Sequence, residues 1–217
     1  MKKTQNIAII LLSVITIIAG ATLIALQNDD LNENKENSNE SIFEVIDPHD
    51  DARTFIAENS ELGYGNEDGD WAYLQLSKSY SFGTRFQNVT IPKDAEIVDA
   101  YVALYCMGTP PYHLHPNCFV YCDNASYSVN FSQAGVLNIS GRNYTNNFVD
   151  WNRTIKYDYW YRTPPLTDII NEVINKKNWT SGNPITVLFV TKGFKNYSTT
   201  FQNFENGYPP KLYIIWK

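Results

Sequence analysis

From Glu96 to Met107 the chain reads EIVDAYVALYCM, and its side chains divide cleanly by parity: Val98, Ala100, Val102, Leu104 and Cys106 fall on one side, Asp99, Tyr101, Ala103 and Tyr105 on the other. Successive side chains of an extended strand point to opposite faces, so a period of two marks a strand with one buried face. A helix would scatter the same residues around its axis. Shorter runs of the same kind, rich in β-branched and aromatic residues, recur at 52–57, 71–76, 84–91, 118–122, 127–131, 185–191, 199–204 and 211–216, punctuated by Gly, Pro and Asn. The 15 Tyr, 11 Phe and 5 Trp are concentrated in this part of the chain and supply its core.

One stretch keeps a different period. Leu166, Ile169, Ile170, Val173 and Ile174 sit at i, i+3, i+4, i+7 and i+8 between polar positions, which predicts a single amphipathic helix. Thr163 is placed to cap it, Pro164 suits its first turn, and the stretch from Asn178 to Gly182 stops it. About nine strands and one helix predict an all-β fold, a jelly-roll β-sandwich over residues 45–217.

Ahead of that domain, residues 7–26 (IAIILLSVITIIAGATLIAL) are twenty uncharged, mostly apolar positions, enough as a helix to cross a hydrocarbon layer of roughly 30 Å. Lys2 and Lys3 precede the run, and Asp29, Asp30, Glu33 and Glu36 follow it. The basic-inside bias therefore places the body outside the cell membrane, held by a single-pass anchor. Ala19-Gly20-Ala21 also resembles a signal cleavage site, which would release the domain as a secreted protein. Residues 27–44 open with an Asn- and Glu-rich, nearly apolar-free stretch that predicts a disordered tether.

The net charge of −6 excludes a nucleic-acid footprint and disfavours polyanionic partners, leaving neutral or cation-bridged ligands. Nine of the 24 Asn lie in N-x-S/T sequons: Asn39, Asn88, Asn124, Asn130, Asn138, Asn143, Asn152, Asn178 and Asn196. That excess over chance fits an exported glycoprotein.

Two stretches carry a family resemblance. RFQNVTIPKDAEIVDAYVALYC (85–106) resembles an Arg-Phe strand leading through IP-x-x-A-x-I into a long core strand. From Ser140 to Trp216, SGRNYTNNFVDWN, TPPLTDIINEVINKKNWTSGNPITVLFV and FQNFENGYPPKLYIIW resemble a Trp strand, a helix with its W-x-SGN turn, and a closing PKL-x-I strand. Together they look like the exported jelly-roll modules known as DNRLRE domains, disaggregatase-related repeats and carbohydrate-binding modules. The resemblance implies a polysaccharide or cell-envelope partner, and an often-present structural calcium. The chain departs from the pattern in lacking a literal DNRLRE string and a catalytic neighbour.

The richest aromatic cluster is Trp151 with Tyr157, Tyr159 and Trp160, followed by Arg162. Flat rings pack against the C–H faces of sugars while a guanidinium serves hydroxyls, so these five residues are the candidate glycan-binding site; the same rings would equally cover the helix and close the core. Glu67, Asp68 and Asp70 flank Gly69 at the start of a strand and are candidate ligands for a structural calcium. Cys106, His113, His115, Cys118 and Cys122 fall within seventeen residues. They allow a Cys106–Cys118 disulfide across a hairpin, a Zn²⁺ or copper site, or free buried thiols. No nucleophile-elbow, zincin, phosphate-loop or dinucleotide pattern occurs, so the expectation is a binding protein and not an enzyme. The alternative is a structural or adhesive envelope protein that binds no sugar.

Overall fold

The computed structural model describes residues 38–57, 60–65, 73–107, 115–133, 139–193 and 198–217. The expected membrane span lies outside the described residues, among which no helix is long and apolar enough to cross a bilayer. From Glu40 onward the chain is one compact unit.

Two antiparallel six-stranded sheets make up the body. Sheet A contains β1 (Asn39–Glu44), β4 (Leu74–Leu76), β6 (Ile97–Met107), β9 (Tyr159–Arg162), β11 (Thr199–Phe201) and β12 (Lys211–Trp216). Sheet B runs β3 (Ser60–Gly65), β2 (Asp51–Ala57), β5 (Tyr80–Phe86), β10 (Ile185–Thr191), β7 (Asn117–Cys122) and β8 (Val149–Asn152). The sole described α-helix, α1, spans Thr167–Ile174.

The long alternating run organises sheet A. On β6, Ala100, Val102, Leu104 and Cys106 are fully buried, as the alternation requires. Ala103 is paired on both sides, with Lys211 of β12 and with Arg162 of β9. Further along β6, Phe201 of β11 and Tyr159 of β9 both pair with Cys106. Strands β12 and β11 thus share one edge of β6, end to end, while β9 takes the other.

Between the sheets the core is largely aromatic. Phe82 stacks on Phe189 at 4.3 Å, and Trp151 of sheet B stacks on Phe201 of sheet A at 5.8 Å. Such ring pairs add about 0.5–1.5 kcal/mol each beyond the area they bury. The helix buries Ile169, Ile170, Val173 and Ile174 and touches β6 in one sheet and β7 in the other, so it spans the two layers.

On the far side of sheet B the described residues 123–133 and 139–145 form a strap. Its Phe131 and Ile139 are buried against Ala52 and Leu188. Two buried ion pairs pin it: Arg85 Nη1 to Asp50 Oδ1 at 2.5 Å, with Arg85 Nε donating to Ser128 O, and Arg142 Nη1 to Asp123 Oδ2 at 2.6 Å, with Arg142 Nη2 donating to Val129 O. Each buried guanidinium is satisfied by a carboxylate and a carbonyl, the arrangement that makes burying charge tolerable.

Several expectations need correction. The tether does not reach residue 44: Asn39–Glu44 is an edge strand beside β12, anchored by Phe43 on the core and by Trp216 Nε1 donating to Ser41 Oγ. The run at 84–91 ends as a strand at Phe86. Asn88 takes φ 52, and the carbonyl of Val89 accepts from Gly182 N instead of a ladder partner. Residues 127–131 form no strand, because side-chain arginines take the carbonyls of Ser128 and Val129. Strands β3 and β9 fall outside the expected runs, whereas β8 lies where the resemblance implies a Trp strand. Thr163 caps nothing; its hydroxyl accepts from Val102 N, and the helix begins only after Leu166.

The Cys106–Cys118 disulfide is also overturned. Strands β6 and β7 belong to different sheets and do not form a hairpin, and all three cysteines are free, buried thiols.

Candidate functional site

The strap covers part of sheet B, whereas among the described residues the outer face of sheet A carries a groove. The residues of β6 that alternate with the core set, Asp99, Tyr101, Ala103 and Tyr105, face outward there. Register carries Trp160 beside Tyr105 and Arg162 beside Ala103 on one flank, and Lys211 beside Ala103 and Tyr213 beside Tyr101 on the other. Cross-strand neighbours share a face, so the pairing alone brings these side chains together.

They form a strip of rings around a gap. Tyr101 and Tyr213 stack at 4.8 Å, and Tyr105 stacks on Tyr208 at 4.3 Å. Trp160 meets Tyr105 edge-on at 5.6 Å. Between the two stacks stands Ala103, whose methyl leaves a groove of about 410 Å³ bounded by Tyr101, Trp160, Arg162, Lys211 and Tyr213. Lys211 Nζ lies 5.5 Å from the centre of the Trp160 ring and 2.6 Å from Glu44 Oε1, while the Arg162 guanidinium lies 5.6 Å from the Tyr101 ring. Burial, reinforced by the neighbouring Tyr213, raises the Tyr101 hydroxyl above its ordinary pKa, so it stays protonated and able to donate.

A second depression, of about 230 Å³, adjoins the groove and shares Tyr101 and Arg162 with it; Asp99, Trp151, Arg153 and Pro164 are among its other lining residues.

The five residues expected to bind glycan are thereby separated. Trp160, 42% exposed, and Arg162 belong to the groove. Trp151 is 1% exposed, with its ring held between the sheets, so it offers no flat face to a sugar. Tyr157 is half-buried against the core. Tyr159 is exposed but pairs with the inward-facing Cys106, which turns it away from the groove. Sequence reasoning missed Tyr101, Tyr105, Lys211, Tyr208 and Tyr213. The polar-side alternation of β6 was the available signal for the first two, since tyrosines at every second outward position form a ring row.

Glu67, Asp68 and Asp70, the calcium candidates, and His113 lie outside the described residues. Among the described residues no three His, Cys, Asp or Glu converge on a point. Burial pushes the Cys106 thiol up to about 12 and raises those of Cys118 and Cys122 as well, so all three are protonated and poor ligands as they stand. Of the sequons, Asn39, Asn88, Asn143, Asn152 and Asn178 are exposed. Asn124 and Asn130 are half-buried, and Asn138 and Asn196 lie outside the described residues.

No protein-family model matches the chain, and no curated protein matches it either.

Proposed function

We propose that the chain is a carbohydrate-binding module of the cell exterior, held at the membrane by its apolar N-terminal run, which presents the outer face of sheet A to a polysaccharide. One observation carries this reading: five exposed or half-exposed rings, Tyr101, Tyr105, Trp160, Tyr208 and Tyr213, surround a groove whose floor is the small Ala103 and whose sides carry Lys211 and Arg162. Rings supply flat apolar area for sugar C–H faces, and the cations and tyrosine hydroxyls supply directional partners for sugar hydroxyls. The resemblance to jelly-roll carbohydrate-binding modules and the run of sequons point the same way.

Retention of the full chain, purified in mild detergent, on a panel of plant, bacterial and algal polysaccharides tests it. Wild type is expected to be retained on at least one polymer. Trp160→Ala, which removes an exposed ring, and Ala103→Trp, which fills the groove, are expected to abolish retention without lowering the melting temperature. Retention unchanged in both variants would refute the assignment to this face. Failure of wild type to bind any polymer favours the structural or adhesive alternative.

A further inference from the structure

The chain as a whole is acidic, yet the smaller depression beside the groove is not. It holds two guanidiniums, Arg153 and Arg162, against one carboxylate, Asp99, a local charge of +1. Two other arginines are neutralised by carboxylates: Arg85 pairs with Asp50, and Arg142 with Asp123. Arg153 and Arg162 have no such partner among the described residues. Each instead lies against a tyrosine ring, Arg153 5.7 Å from the centre of Tyr161 and Arg162 5.6 Å from that of Tyr101. Both arginines are exposed, and their N–H groups meet no acceptor among the described residues.

Trp151 also lines the depression, but its indole N–H is itself buried and is not presented there. Two guanidinium forks thus outnumber the one carboxylate of the wall, Asp99, which is suited to receive a sugar hydroxyl.

We infer that the depression is a subsite for a single carboxylate-bearing sugar, a uronate unit or acidic substituent on an otherwise neutral polysaccharide whose backbone lies on the neighbouring rings. This rests on the carbohydrate-binding reading and narrows it. A continuous polyanion is a different ligand. The net charge of −6 repels it at distances where one charged sugar among neutral ones is barely felt, while an excess of one positive charge compensates a single carboxylate. Arginine suits the task because its planar fork matches the two oxygens of a carboxylate.

The test is binding of the full chain to an oligosaccharide array built in matched sets: a neutral chain, the same chain with one uronate side group, that chain with its carboxyl reduced to an alcohol, and an all-uronate chain. The singly charged member is expected to bind about tenfold tighter than its reduced counterpart, as a charge-assisted pair would give. In Arg153→Gln, a residue that lines the depression and not the groove, that difference shrinks while binding of the neutral members is kept. Equal binding of the charged and reduced members overturns the uronate subsite but leaves the carbohydrate reading intact. Preference for the all-uronate chain overturns it in favour of a polyanion site. Loss of neutral-chain binding in Arg153→Gln also overturns it, since that arginine would then serve hydroxyls. No binding to any member overturns both the subsite and the carbohydrate reading.

Discussion

Asp51 on β2 and Thr84 on β5 are direct cross-strand partners on the core side of sheet B, and each carries one buried oxygen, Oδ1 and Oγ1, with no hydrogen-bond partner among the described residues. The other carboxyl oxygen of Asp51 accepts from Phe204 N at 2.9 Å, joining sheet B to the turn that precedes β12. Burial pushes Asp51 up to about 8, with Glu205 and Asp50 nearby adding to the shift and the Phe204 hydrogen bond opposing it.

That shift fixes the sign of a pH dependence. The folded protein holds the Asp51 proton up to about pH 8, whereas the unfolded chain releases it near the ordinary value of 3.8. Stability from this group is therefore complete below pH 3.8, declines across the window up to about 8, and is flat above it; the full span is about 6 kcal/mol at most. Urea unfolding across that window is expected to show the decline in wild type. Asp51→Asn should flatten it and be the more stable protein at the alkaline end. A wild-type curve that does not fall would show that Asp51 is charged in the fold.

The two tryptophans proposed from sequence as one binding pair are expected to behave as opposites. Trp151→Ala removes the ring between the sheets and should cost about 3–5 kcal/mol of stability, read as a lower denaturant midpoint. Trp160→Ala, on an exposed face, should leave that midpoint within about 0.5 kcal/mol of wild type. Equal losses would mean that the groove is part of the core.

Gly83 lies directly beneath the strap. A Cβ there would come within 2.6 Å of Phe131 Cζ and 3.0 Å of Leu188 Cδ2. Gly83→Ala is expected to cost about 1–3 kcal/mol through overpacking. Combining it with Phe131→Leu should recover part of the loss, and a double-mutant cycle measures that coupling. Strict additivity would place the strap elsewhere.

The three thiols give a chemical check on the sheet assignment. A thiol reagent is expected to find none of Cys106, Cys118 and Cys122 in the native protein, and all three after denaturation without reductant. Release of a single thiol equivalent would restore a disulfide.

Much of the architecture was legible because burial and alternation coincide: β6, β7 and β12 are each a run in which every second side chain is buried or nearly so, while β10 is a continuous buried run covered on both faces. Legibility failed where the two part company. Val89 and Ile91 are buried and alternate, yet the left-handed backbone at Asn88 bends them out of the sheet. The NESIFE strand is the reverse case, held at an edge by Phe43 and a few hydrogen bonds, with too little apolar surface to announce itself. For the site, adjacency in sequence misled: Trp151 and Trp160 are nine positions apart but lie in different sheets, whereas Tyr101 and Tyr213 are remote in the chain and in contact. Strand register, which composition does not encode, decides which rings meet.

The dual pairing of Ala103, with Arg162 on one side and Lys211 on the other, has a consequence for biogenesis. The groove's two banks are made from widely separated stretches of polypeptide, β9 and β12, and the second bank exists only once β12 has docked on β6. A chain lacking β12 would keep Tyr101 and Tyr105 but lose Lys211 and Tyr213, so half of the groove is assembled only when the last strand is in place.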